Sequence, residues 1–165
     1  MSLTIRDTVP EDLPELLAIY NYEVEHGVST FDLNKKDMRQ WREWYDDHML
    51  GNRFILTAEV DGKAVGYSSL SEYRSKEAYA ATTELSVYVD TAYRGRGIAK
   101  ELIRRTVEKA RENGNVHTIV SVITGGNRAS IELHKKLGFA HCGTICEVGE
   151  KFGRLLDIDN FQLIL

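Results

Sequence analysis

The sequence predicts a single mixed α/β domain, and three features carry that prediction. Segments of strand-like alternation and of helical periodicity interleave along the chain in the order β-α-α-β-β-β-α-β-α-β-β. Phe54–Val60 and residues 63–70 flank an Asp61-Gly62 pair, which readily takes the positive φ angles of a two-residue hairpin turn. Residues 84–89, rich in β-branched and aromatic side chains, run through a glycine-punctuated turn straight into a helix. With 165 residues, 42% of them hydrophobic, the chain can bury one sizeable core, and no repeat, low-complexity tract or linker divides it.

Residues 3–6 alternate as a first strand, and Thr8-x-x-Glu11 forms a capping-box pattern ahead of apolar Leu13, Leu16, Leu17, Ile19 and Tyr20. A polar loop over 26–34 separates this helix from a second at 35–49, where Met38, Trp41, Trp44 and Tyr45 recur at helical spacing. The hairpin and the 84–89 strand come next. Ile98, Leu102, Ile103, Val107 and Ala110 then mark the inward face of a third helix, stopped by Asn113-Gly114. Residues 116–123 read as a strand, 127–137 as a short helix closed by Gly138, and 140–148 and 154–165 as two last strands.

Composition narrows the function. A net charge of -4, from 21 basic and 25 acidic residues without a basic block, argues against a nucleic-acid partner. The first residues lack a basic region followed by an apolar stretch, and no run of about eighteen apolar residues occurs, so no membrane association and a cytoplasmic location are expected. Cys142 and Cys146, with His141 beside them, would put two thiols on one strand face, but zinc requires three or four convergent ligands. We expect reduced, partly buried structural cysteines and no metal.

The turn Arg94-Gly95-Arg96-Gly97-Ile98-Ala99 carries the first chemical signal. Free amides at the positive end of a helix hold phosphate, small residues admit the anion, and the two arginines add charge. The segment is neither GxxxxGK(S/T) nor GxGxxG, so P-loop and dinucleotide readings are poor. A second block follows at Asn127, Ser130, His134, Lys136, Gly138 and Phe139. Together the two blocks resemble the GNAT superfamily of N-acetyltransferases: Arg94, Gly97 and Ala99 match its cofactor loop, and Asn127, His134, Gly138 and Phe139 match its second motif.

Tyr73-Arg74-Ser75-Lys76-Glu77-Ala78-Tyr79, Thr82 to Val89, Val148 to Gly153 and Leu156-Asp157 narrow the resemblance to the phosphinothricin and methionine sulfoximine acetyltransferase branch, over essentially the whole chain. Ala80-Ala81 departs from the Asp and Trp of many members, which leaves the acceptor open. The resemblance implies a central, mostly antiparallel twisted sheet with helices on both faces, acetyl-CoA as acetyl donor, a homodimer, and transfer to the α-amine of a small amino-acid analogue.

Roles follow from the chemistry of direct transfer, which requires a deprotonated amine, a polarised thioester carbonyl and a proton for the departing thiolate. Glu84 matches the branch's catalytic glutamate, and partial burial would suit it as general base. The backbone of Val87, Tyr88 and Val89 could pair with the pantetheine arm as though it were a strand. His134 stands where many relatives carry a tyrosine acid, although a lone helical histidine is often structural. Asn127 is either a cofactor contact or a plain N-cap. Lys136 either reaches a phosphate or lies solvated.

Acceptor recognition falls to Arg74, Ser75 and Lys76, with Leu85 and Ser86 beside Glu84; a guanidinium gripping a carboxylate or phosphinate implies an acceptor with an acidic group. Phe31, Trp41 and Trp44 either wall this pocket or belong to the core. Two rival functions are a related enzyme for a polyamine, aminoglycoside or protein amine, and a non-catalytic acyl-CoA sensor.

Overall fold

Seven strands and four helices follow one another in the order read from the sequence. In the computed structural model, which describes residues 1–165, β1 spans Leu3–Asp7, α1 Leu13–His26, α2 Met38–Asp47, β2 Phe54–Val60 and β3 Lys63–Glu72. β4 spans Thr82–Val89, α3 Ile98–Asn113, β5 Thr118–Thr124, α4 Arg128–Lys136, β6 Ala140–Lys151 and β7 Arg154–Ile164. One sheet runs through all seven strands in the order β1-β2-β3-β4-β5-β7-β6, and every neighbouring pair is antiparallel except β4 and β5.

Local chemistry sets the boundaries. Asp61 and Gly62 both take positive φ, 49° and 83°, as the hairpin between β2 and β3 requires. α2 begins three residues later than its periodicity suggests because Asp37 and Gln40 form a reciprocal capping box: the Asp37 carboxylate accepts the Gln40 N–H at 2.8 Å and Gln40 Oε1 accepts the Asp37 N–H at 3.0 Å. Thr8 does not cap α1. Its hydroxyl bonds Thr57 on β2 at 2.7 Å, and the Asp12 carboxylate instead accepts the Val9 N–H at 3.0 Å. The same carboxylate is gripped by Arg6 through two hydrogen bonds of 2.7 and 2.8 Å.

Two apolar layers sandwich the sheet. On one face Leu102, Ile103, Val107 and Ala110 of α3 pack on Leu70, Leu85, Ile119 and Phe161, with Ile131 and Leu133 of α4 at the margin. On the other, Leu13, Leu16 and Ile19 of α1 and Trp41 of α2 cover Ile55, Ala64 and Tyr67, with Trp44 partly buried against them. The β2–β3 register passes from Ala64 to Gly66 and leaves Val65 as an extra residue, so Val65 joins the α3 face while Ala64 and Tyr67 serve the other. β6 forms the far edge and is broken by two irregularities, between His141 and Gly143 and between Ile145 and Gly149.

The feature that positions the site is the short contact between β4 and β5. They pair only from Thr82 to Glu84 against Thr118 to Val120. Beyond that point β4 stays with β3 as far as Val89, β5 stays with β7 as far as Thr124, and the sheet opens between them.

Replacing Leu102, 0% exposed, with Ala should destabilise the fold by about 2–5 kcal/mol in urea unfolding, because a cavity forms under the opened half of the sheet. For Asp12, burial would raise its pKa, but the hydrogen bonds from Arg6, Val9 and Thr57 outweigh it and the net shift is downward. Its contribution to stability is therefore present above the ordinary carboxylate value and lost as pH falls through the lowered one. Asp12→Asn should flatten the acid side of the stability profile, measured by thermal melts across pH.

Candidate active site

Where β4 and β5 part, a cleft of about 710 Å³ opens between residues 85–89 and 121–124 and is closed by the start of α3 and one face of α4. Beyond Glu84 the β4 edge facing β5 has lost its strand partner, which leaves main-chain groups over 85–89 open to an extended ligand. The floor of the cleft is the 94–99 turn. Gly95 and Gly97 sit at φ 73° and 79°, a region that disfavours side chains, and a Cβ at either would meet no atom within 4 Å.

The first helical hydrogen bond of α3 runs from Glu101 N–H to Gly97 O at 3.1 Å, and no carbonyl accepts from the amides of residues 95–100. Unpaired donors at the positive end of a sixteen-residue helix, bare of side chains at Gly95 and Gly97, fit a pyrophosphate.

The motif arginines do not stand free. Arg94 lines the cleft, yet its guanidinium pairs with the Glu23 carboxylate and donates through Nε to Val89 O at 3.1 Å. Glu23 is buried while the Arg94 side chain is half exposed, so the pair lies at the cleft surface with the arginine's charge already matched by a carboxylate of the chain. Lys151, from the β6–β7 hairpin, is buried alongside and donates to the carbonyls of Glu23 at 3.2 Å and Thr30 at 2.9 Å. Burial lowers its pKa, against the raising influence of Glu23 and Asp32. Arg96 lies over the Tyr93 ring, 5.2 Å from its centroid, and donates to Ala92 O at 3.2 Å; it is not in the cleft wall. Lys100 and Lys136 are the further cations that line it.

Glu84 occupies the point of divergence itself, half-buried at the last β4–β5 pair and next to Leu85 and Ser86 in the cleft wall. Burial raises its pKa above the ordinary glutamate value, with no opposing cation. His134 lines the cleft from α4 but has both ring nitrogens engaged: Nδ1 donates to Ser130 O at 2.8 Å and Nε2 accepts from the Ser121 hydroxyl at 3.0 Å. Burial lowers its pKa, outweighing the raising effect of the Ser130 carbonyl, so the ring is held neutral. Asn127 caps α4 by accepting the Ser130 N–H at 3.3 Å and also lines the cleft.

Arg74, Ser75 and Lys76 lie exposed outside the cleft wall, in the loop between β3 and β4. Arg74 is stacked over Tyr73 and Tyr79, at 5.0 and 5.7 Å from the ring centroids. Phe31 packs on the backbone of Gly149, where a Cβ would come within 2.4 Å of the ring, and Trp41 and Trp44 belong to the α1–α2 core. Cys142 and Cys146 are free and exposed, not partly buried, because β6 is an edge strand exposed along almost its whole length. No group of three or more His, Cys, Asp or Glu is arranged to hold a metal.

Several wall residues escaped the sequence reading, among them Ser29, Lys100, Ser121 and Thr124. They come from a loop, a helix flank and a strand, and only the opening of the sheet brings them together.

The family description Acetyltransferase (GNAT) family matches residues 16–139. An L-methionine sulfoximine/L-methionine sulfone acetyltransferase of Pseudomonas aeruginosa is 38% identical over all of this chain and 96% of its own length. Among solved structures, a ribosomal-protein-alanine N-acetyltransferase from Brucella melitensis superposes with a TM-score of 0.95 at 41% identity, covering 98% of this chain and 99% of that one. A phosphinothricin acetyltransferase from Sinorhizobium meliloti, in complex with acetyl-CoA, gives 0.95 at 32% identity over 100% and 89%. With its sheet opened beside a glycine-lined helix start, the chain belongs to the GNAT family and is an N-acetyltransferase.

Proposed function

We propose that residues 1–165 act as one catalytic unit that transfers an acetyl group from acetyl-CoA to the α-amine of a small amino-acid analogue, such as phosphinothricin or methionine sulfoximine, with Glu84 as general base. One observation carries the reading: a carboxyl group raised by burial stands at the point where the sheet opens onto an anion-binding helix start. When bound, acetyl-CoA supplies the activated thioester. The chain's part is to seat the pyrophosphate on the amides of residues 95–99, to align the pantetheine arm along Val87, Tyr88 and Val89, and to take one proton from the acceptor at Glu84.

His134 we assign to orientation of the α4 wall through Ser121 and Ser130, since a neutral ring with both nitrogens engaged is poorly placed to protonate a thiolate. Asn127 caps the same wall, and Lys136 with Lys100 balances the phosphates. Arg74, Ser75 and Lys76 form the acceptor side in this reading, attracting an acidic group over the cleft mouth, with Leu85 and Ser86 beneath. A homodimer is consistent with the exposed apolar side chains Ile145, Val148, Phe152 and Leu155 on the last hairpin. A cytoplasmic location fits a chain in which no helix is long and apolar enough to cross a membrane.

The likeness to the Brucella protein favours a second reading, in which the acceptor is a protein amine. A panel of methionine sulfoximine, phosphinothricin and a peptide beginning with alanine, followed by free-thiol release from acetyl-CoA, separates the two. Turnover with the peptide alone would overturn the first.

Glu84→Gln should lower kcat by about 100-fold or more while the calorimetric affinity for acetyl-CoA stays within twofold. In the wild type, kcat/KM should fall on acidification with a midpoint above the ordinary glutamate value, because Glu84 must be ionised to accept the proton. Gly97→Val should weaken acetyl-CoA binding by about tenfold in calorimetry, since its φ of 79° strains any side chain and so disturbs the backbone whose amides form the cradle.

A further inference from the structure

Behind Glu84, on the face of the sheet covered by α1 and α2, a hydrogen-bonded chain leads away from the cleft. β3 and β4 pair with Ser71 opposite Glu84, Ser69 opposite Ser86 and Tyr67 opposite Tyr88. Register partners project to the same face with Cβ atoms roughly 4.5–5.5 Å apart, so Ser71 is the cross-strand neighbour of Glu84. Tyr67 and Tyr88 of the same row pack into the α1–α2 core, which identifies the face. His48 closes α2 over this row. Its Nε2 lies 2.8 Å from Ser71 Oγ and its Nδ1 2.7 Å from the Trp44 carbonyl oxygen, and the residue is 3% exposed.

The direction of each hydrogen bond follows from the groups present. A carbonyl only accepts, so Nδ1 carries the hydrogen. Burial lowers the His48 pKa against the raising effect of the Trp44 carbonyl, so the ring is neutral and Nε2 presents a lone pair. The charged groups near His48 are Asp47 and Arg53, which pair with each other at 2.9 Å. Tyr88, partly buried and held protonated, is the titratable neighbour that feels Glu84. The Ser71 hydroxyl has one hydrogen. Once that hydrogen is given to His48, Ser71 has only lone pairs left for Glu84.

We propose that His48 is a positioning residue for acetyl transfer: by turning the Ser71 hydroxyl toward itself, it makes Ser71 a pure acceptor that receives a hydrogen bond from protonated Glu84 and offers none to the carboxylate. The inference rests on Glu84 as the base. In the step concerned an N–H bond of the acceptor ammonium breaks, the electron pair stays on nitrogen, and an O–H bond forms on Glu84. As it stands Ser71 makes no hydrogen bond to the Glu84 carboxylate, as a hydroxyl turned to His48 requires, and the new O–H gains Ser71 Oγ as acceptor by rotating toward its cross-strand neighbour. A hydrogen bond to the neutral form strengthens the base, and denying one to the charged form acts in the same direction.

The test is a set of pH profiles for His48→Phe, His48→Gln, Ser71→Ala, Ser71→Thr, the double variant His48→Phe/Ser71→Ala, and Glu84→Gln. In His48→Phe the freed hydroxyl turns to the carboxylate and weakens the base. The acid limb of kcat/KM should move to lower pH and kcat should fall about threefold to tenfold, with KM for acetyl-CoA unchanged. Ser71→Ala should shift the limb the same way, and the double variant should shift no further than Ser71→Ala alone. His48→Gln, which keeps an acceptor near the Nε2 position, and Ser71→Thr, which keeps the hydroxyl, should recover most of the wild-type profile.

Wild-type acid limbs in folded His48→Phe and Ser71→Ala would overturn the proposal. So would a His48→Phe effect that persists undiminished without Ser71, which would show that His48 acts through packing. Should His48→Phe not fold, Ser71→Ala and its rescue by Thr decide the matter. Wild-type turnover in Glu84→Gln removes the base and this proposal with it, whereas an inactive Glu84→Gln beside unaltered Ser71 and His48 variants removes the positioning role alone.

Discussion

The three-residue parallel contact between β4 and β5 is the constraint from which the site derives. β4 is held to β3 from Thr83 to Val89 and β5 to β7 along its whole length, so each strand follows the twist of a different half-sheet. Their divergence strips partners from one edge of β4. Because the crossover between them passes through α3, the positive end of that helix lies at the mouth of the same gap. Main-chain donors, an anion cradle and a cleft are thus consequences of one topological fact.

Around that opening, charge is placed with economy. Glu23 is buried at the end of α1 and meets two cations from distant parts of the chain, Arg94 ahead of α3 and Lys151 from the last hairpin. Buried ions such as Glu23 and Lys151 are costly unless hydrogen-bonded, and here Lys151 donates to the carbonyls of Glu23 and Thr30, while the half-exposed Arg94 also donates to the Val89 carbonyl. Removing Arg94 would leave the buried Glu23 carboxylate without its ion-pair partner. The cluster therefore fixes the loop after α1, the cofactor turn and the hairpin relative to one another.

Most of the fold was legible because local signals agreed with the tertiary outcome. Asp61-Gly62 produced its hairpin, and the 98–110 periodicity produced a helix with those residues inward. The glycine turn was legible for the same reason, since positive φ at residues 95 and 97 is a property of the residues themselves. Partnership at long range was not. Nothing around position 94 announces that its guanidinium will meet Glu23 seventy-one residues earlier, and nothing near Thr8 shows that its hydroxyl will turn to Thr57 instead of capping a helix. The exposure of Cys142 and Cys146 escaped for a related reason: strand order in the sheet is a long-range property, and β6 ends up at the edge with neither face covered along most of its length.

The two irregularities in β6 have a consequence for how molecules meet in concentrated solution. A twelve-residue border strand carrying Ile145 and Val148 in the open would, if flat, template endless edge-to-edge growth between copies. With Gly143 at φ 133° and Glu147 at φ 53°, the border is kinked, and its peptide donors and acceptors cannot line up with a straight neighbour over more than a few residues. The geometry leaves room for a finite, shape-matched encounter and frustrates fibrillar stacking.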